Sequence, residues 1–443
     1  MSTVSLDEEK TESSEPVEEL QVPDEIDADL SLARRCTSTT STPPPPPDGG
    51  LRAWSQVLVC VLVNALTWGT TYSFGVSQLH YTSTLDLPSA QVSWIGSVQV
   101  FLVFGMCIIS GRLTDAGYAR VTAMTGCALA TFGTFMTSLA KEYWQILLSQ
   151  GVCQGIGMGL VFMPAVTVAG SYFQKRRSFA LAVGACGSSI GGLAFPSTIQ
   201  YLTPRIGFPW AMRCVGFLML FISVLASLLL RPRVKPRRTG QIVDWAAFRE
   251  LPYCLFALGS FLNFYGVYFA LFYINSYARN VIGFTTVEAV SLLLVTNAMG
   301  LPARPITGYV ADKYTGPINT FAILQMLFAA ILFGWTGVRT RTDMYVFSAF
   351  LGIITGASQG MFLGALASLN KDPRKMGTRF GMVATICAFG TLAGPPTGGA
   401  IIDNMGGQYV GAQLWGAAVM LCSSLAILAS RVAATGWIWK AKI

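Results

Sequence analysis

From residue 54 onward, apolar stretches of about 20 residues alternate with short polar breaks almost to the end of the chain. A stretch of that length covers the ~30 Å hydrocarbon core of a bilayer. Spans are expected near residues 54–79, 89–110, 118–139, 144–170, 178–202, 209–230, 252–277, 286–309, 317–338, 344–367, 377–401 and 409–433. Hydrocarbon offers the backbone no hydrogen bonds, so each span must satisfy its own and be helical. Composition agrees: 52% of the residues are hydrophobic and 12% charged, against about 25% charged in a soluble domain. The expected fold is an all-α integral membrane protein with twelve transmembrane helices in two pseudo-symmetric six-helix halves.

The halves are suggested by a repeat. Gly111-Arg112-Leu113-Thr114-Asp115 returns 197 residues later as Gly308-Tyr309-Val310-Ala311-Asp312. Each copy ends an apolar run and is followed by a base, Arg120 in the first and Lys313 in the second. A period near 200 residues is too long for a solenoid and suits a carrier built from two related halves. The division expected is an acidic tail (1–50), a first half (51–230), a linker (231–250), a second half (251–433) and a short tail (434–443).

Charge gives an orientation. Residues 1–50 hold 12 of the 22 acids, and the tail ends in Pro43 to Pro47, so this segment is expected to be disordered. No basic-then-apolar start precedes the first span, so no cleaved leader is expected. Beyond residue 50, with both termini cytosolic, 20 bases fall on the cytosolic side and six on the other. This follows the positive-inside rule. The bases lie in short loops, so they do not signal nucleic acid. Arg231 to Arg238 in the linker could meet anionic headgroups, and Asp244 to Phe248 is expected as a short interfacial helix.

The ten cysteines form no C-x-x-C pair, and there is one histidine, His80. Neither a metal site nor a cofactor is expected, and no protein partner is evident; the partners implied are a lipid bilayer and a small molecule. With no acid deep in a span, no general acid–base pair is available and an enzyme is not expected.

Arg304 is the one base set well inside a span rather than in a loop or at a span end. A charge at a helix centre costs roughly 2.5–3.5 kcal/mol on insertion scales, so it marks a pathway. Asn297 lies seven residues earlier on the same face, with Gly300 between. Further polar positions within spans that could line a cavity are Asn64, Thr71, Asn263, Tyr265 and Tyr268. Gly184, Gly187 and Gly191 are small residues at helical spacing, suited to close packing or to a moving gate. Lys175, Arg176 and Arg177 open the fifth span.

Three stretches carry a family resemblance. The doubled Gly-x-x-x-Asp resembles the loop motif of the major facilitator superfamily. Asp48 to Trp54 (DGGLRAW) resembles the opening signature of its monocarboxylate transporter family in the fungal permease-like form, and Tyr172 to Ala180 followed by Gly184, Gly187 and Gly191 resembles that family's second signature. The resemblance covers residues 48 to about 433. It implies secondary transport of a small organic anion by alternating access, with Arg304 on the substrate carboxylate and the doubled motif acting in gating. Efflux of a larger secondary metabolite, or a non-transporting nutrient sensor, are the other functions it allows. The chain departs from the family at Ala116, where a base usually follows the first Asp, at Gly300, where an acid is common, and near Val76, where a Lys is common. The usual proton carrier is therefore absent, and weak or no proton coupling is expected.

Overall fold

The computed structural model describes residues 46–85, 89–233, 241–370, 372 and 375–436, and every regular element among them is helical. The expected disordered tail (to residue 45), Lys235 to Arg238 of the linker and the last seven residues lie outside the described residues. The helices are α1 (Leu51–Leu85), α2 (Ser89–Gly105, continued by Cys107–Leu113), α3 (Ala119–Thr137), α4 (Tyr143–Ser171), α5 (Arg177–Ile206) and α6 (Phe208–Leu229). After the linker come α7 (Leu251–Asn280), α8 (Thr286–Val310), α9 (Pro317–Trp335), α10 (Arg341–Leu369), α11 (Met376–Asn404) and α12 (Val410–Thr435). Among the described residues, ten stretches are long and apolar enough to cross a membrane, Gln91–Thr137 counted as one of them.

Local chemistry marks where the helices begin. Thr285 with Glu288, and Thr340 with Asp343, form reciprocal capping boxes at the starts of α8 and α10. Prolines open α6, α7 and α9, where a missing N–H costs nothing. In place of the expected helix over Asp244 to Phe248 there is a single 3-10 turn, Ala247–Arg249.

Packing repeats along the chain. Helix α1 lies along α5, as α7 does along α11; α2 packs on α4, as α8 does on α10; and α3 meets α4 and α6, as α9 meets α10 and α12. The sets are joined where α5 packs on α8 and α10, and where α11 packs on α2, its continuation and α4. A shared core of Trp68, Phe104, Phe162, Phe264 and Phe362 runs through both. Outward-facing positions remain apolar, such as Phe217, Phe221 and Leu228 on α6 and Ile323, Met326 and Leu327 on α9, as lipid contact requires.

The α1–α5 seam depends on glycine. A Cβ at Gly187 would overlap the Val61 carbonyl, one at Gly191 the Ala65 carbonyl, and one at Gly184 would press on Cys60 Sγ at 2.6 Å. Small residues here let two backbones touch.

Candidate functional site

The two Gly-x-x-x-Asp breaks lie on one face and make the same contact. After Asp115, Gly117 takes a left-handed conformation (φ 95°) and turns the chain from the α2 continuation into α3. The Asp115 carboxylate then accepts hydrogen bonds from Gly377 N (3.0 Å), Thr378 N (2.7 Å) and Thr378 Oγ1 (2.7 Å) at the start of α11. In the second break Asp312 accepts from Ser178 N (3.2 Å) and Phe179 N (2.8 Å) at the start of α5. Each Asp therefore caps a helix of the opposite set, satisfying N–H groups that a helix leaves unbonded. Burial pushes the Asp312 carboxyl above the usual carboxylate range, against the hydrogen bonds from Phe179 and Ser178 and the charge of Arg177.

The other motif residues sit around these caps. A Cβ on Gly111 would overlap the Gly377 carbonyl, and one on Gly308 would lie 2.7 Å from Ala182 Cβ. Arg112 is close enough to Asp115 to act on its charge, whereas Arg120 is exposed. Lys313 donates to Tyr309 Oη (2.9 Å) and lies over the Tyr314 ring. Arg177 donates to the carbonyls of Phe173 (3.0 Å) and Ala367 (3.5 Å). Lys175 and Arg176 are exposed, and the Lys175 backbone N–H donates to Asp48 (2.9 Å), tying the start of α1 to the α4–α5 turn.

A third device holds the start of α11. Asp244 of the linker pairs with Lys375 (3.1 Å) and Arg379 (3.2 Å), and Arg379 also pairs with Glu250 (2.6 Å). Burial raises the Asp244 carboxyl, but the hydrogen bonds and charges of Lys375 and Arg379 win and hold it below the usual carboxylate range. Nothing in the sequence singled out this cluster, because its members come from two segments far apart in the chain, the linker and the start of α11.

At the ends of α1, α2, α7 and α8 remote from the breaks, a cavity of about 280 Å³ opens between the two sets. Its walls include Thr71, Tyr72, Phe74, Gln99, Tyr268, Phe272, Asn275 and Arg279. Towards the breaks, Tyr72, Leu271 and Leu293 separate it from a chamber of about 10 Å³, room for about one water. Arg304, Ser189, Asn297, Thr296 and Thr355 line that chamber. Arg304 is 3% exposed; its Nη1 donates to Ser189 Oγ, and its Nε has no acceptor. Among the described lining residues of both spaces there is no Asp, Glu, His or Lys, and the charges are Arg304 at the base and Arg279 towards the open end.

The structure thus brings Arg304 and Asn297 together in the chamber and puts Thr71 and Tyr268 on the cavity wall. Three sequence candidates sit elsewhere. Asn64 donates to the Cys60 carbonyl (2.9 Å), Tyr265 bonds Thr397 of α11 (2.8 Å) and stacks against Phe261, and Asn263 is fully buried with neither amide atom paired. Tyr72, Gln99, Ser189, Asn275 and Arg279 join the site without having been singled out. Gln99, a polar residue in an apolar run, carries the same sequence signal as Asn64.

Comparison with known proteins accords with this geometry. The sequence model of the Major Facilitator Superfamily matches residues 57–395. The chain is 38% identical over 387 residues to an MFS-type transporter of Gibberella zeae, covering 87% of this chain and 88% of that one. It is 35% identical to the aspyridones efflux protein apdF of Emericella nidulans, covering 84% and 76%. The fold is similar to the crystal structure of the human organic anion transporter MFSD10, with a TM-score of 0.70 at 12% identity over 86% of this chain and all of that one. The chain belongs to the Major Facilitator Superfamily and is a multi-pass integral membrane transporter.

Proposed function

We propose that the protein exports an acidic secondary metabolite, moving it down its own gradient by alternating access. The observation that carries this reading is Arg304: a guanidinium buried at the base of a cavity in which no described lining residue is an acid. A buried charge is costly unless it is paired, and its planar fork suits a carboxylate or another delocalised oxyanion. Two relatives are named as efflux proteins, for aspyridones and for agnestins, which favours a bulkier acid over a small monocarboxylate. A volume near 280 Å³ lined by Tyr72, Phe74, Tyr268 and Phe272 suits a fused-ring compound.

In this reading the helices form two six-helix halves. Ten candidate stretches become twelve spans when Gln91–Thr137 is divided at Gly117 and α8 is added. The halves are residues 51–230 and 251–433, joined by 231–250. The positive-inside count places the breaks, the linker and both termini in the cytosol. Asp115 and Asp312 then latch the cytosolic side while the cavity faces outward, and transport breaks both caps in each cycle.

The test is flux in proteoliposomes across a panel of aromatic organic acids, with and without an imposed pH gradient. Saturable flux of at least one acid, driven by its own gradient and not concentrated by the pH gradient, is expected. Flux confined to neutral or cationic compounds would contradict the reading, and accumulation abolished by a protonophore would contradict the gradient-driven part.

A further inference from the structure

We infer that Gln99 is a specificity-determining residue that selects substrates carrying a hydrogen-bond donor, a hydroxyl above all, on the part that lies in the wide end of the cavity. The inference rests on the cavity being the substrate site, and it adds a neutral recognition element to the acidic one at Arg304.

A relay of side chains defines which atom Gln99 has left to offer. The Thr134 hydroxyl has one proton, and it is directed to the Ala130 carbonyl (3.0 Å) or to the Met219 sulfur (3.0 Å). Towards Gln154 it can therefore only accept, and Gln154 Nε2 donates to it at 2.6 Å. Gln154 must then present Oε1 to its other neighbour, and Gln99 Nε2 donates to that oxygen at 2.9 Å. Gln99 Oε1 is what remains, and it has no donor. Gln99 is wholly buried yet lines the cavity. The amide is thus oriented from behind, by α3 and α4, with its acceptor unsatisfied.

Across the cavity, Asn275 of α7 also lines the wall with its Oδ1 unpaired. Orphan acceptors thus come from α2 and from α7, the two sides that close on a substrate. A buried acceptor left unpaired is penalised, so a ligand without a donor there binds less well. Sites built to bond a substrate hydroxyl discriminate strongly against analogues that lack it. The fused-ring acid proposed above is therefore a hydroxylated one.

The experiment measures dissociation constants on the full-length protein in nanodiscs. One probe pair is neutral, 2-naphthol and 2-methoxynaphthalene, in which a methyl group replaces the donor proton. The other set is 2-naphthoate with its 1-, 3- and 6-hydroxy isomers. We expect 2-naphthol to bind about tenfold more tightly than its methyl ether, the effect of one unpaired buried acceptor. At least one hydroxynaphthoate should exceed 2-naphthoate to a similar degree. Gln99→Leu should erase both preferences. Gln99→Met, unbranched and close in volume, serves if the Leu variant does not fold. The inference is overturned if the folded wild type shows no preference for 2-naphthol, or if the preference survives in the Gln99 variant. Arg304→Ala separates the two ideas. It should weaken every naphthoate and leave the naphthol-to-ether ratio intact. Unchanged naphthoate binding in that variant would sink the anion reading while the neutral pair still decides on Gln99.

Discussion

Arg304 holds its position through one hydrogen bond to Ser189, with Nε left over. An acidic substrate would complete it. Leaving a buried charge without its partner costs about 3–5 kcal/mol, so Arg304→Ala should weaken binding of a transported acid by roughly 200- to 5,000-fold while expression stays near normal. Arg304→Lys should recover part of that, since it restores charge without the fork. Transport at wild-type rates by Arg304→Ala would make the residue a packing element. At this scale the sequence was informative about chemistry and poor about direction. Looking for polar residues in apolar runs finds Thr71 and Tyr268, which line the cavity, but also Asn263 and Tyr265, which do not. All four lie in spans, and which way each one faces is set by neighbouring helices that a single span does not reveal. Ser189 and Tyr72 belong to residue types too common in spans to stand out.

Among the elements, the pairing of α1 with α5 and the two Asp caps carry the architecture. At Gly187 a Cβ would overlap the Val61 carbonyl, whereas at Gly334 nothing lies within 4 Å. Overpacking a tight contact costs about 1–3 kcal/mol. Gly187→Leu should therefore lower the melting temperature or the yield of monodisperse protein, and Gly334→Ala should leave both unchanged. Equal behaviour of the two variants would show that the α1–α5 seam is looser than drawn. Most helices were legible because the apolar runs have bilayer length. The doubled Gly-x-x-x-Asp was legible as a pattern, and a capping role follows from an Asp beside a helix end. What it caps was not legible: Asp115 reaches Gly377 and Thr378, and Asp312 reaches back to Ser178 and Phe179. Those partners are fixed by how the two sets of helices meet. The expected helix over Asp244 to Phe248 became a 3-10 turn because Asp244 is drawn to Lys375 and Arg379.

For the whole molecule, the packing pattern repeats six helices on, both Asp caps lie on one face and the cavity opens towards the other. If the halves rock, loosening the caps must close the cavity mouth. Removing an N-cap side chain costs about 1 kcal/mol, so losing both should shift the balance of the two states roughly thirtyfold. The measurement is a pair of spin-label distances in a cysteine-free background, taken before and after the double change Asp115→Ala and Asp312→Ala. One label pair spans the capped face at Tyr118 and Tyr314, and the other flanks the mouth at Thr84 and Val281, all four exposed. Alternating access predicts that the Tyr118–Tyr314 distance lengthens while the Thr84–Val281 distance shortens. A capped face that opens with the mouth unchanged, or no change at either, would contradict it.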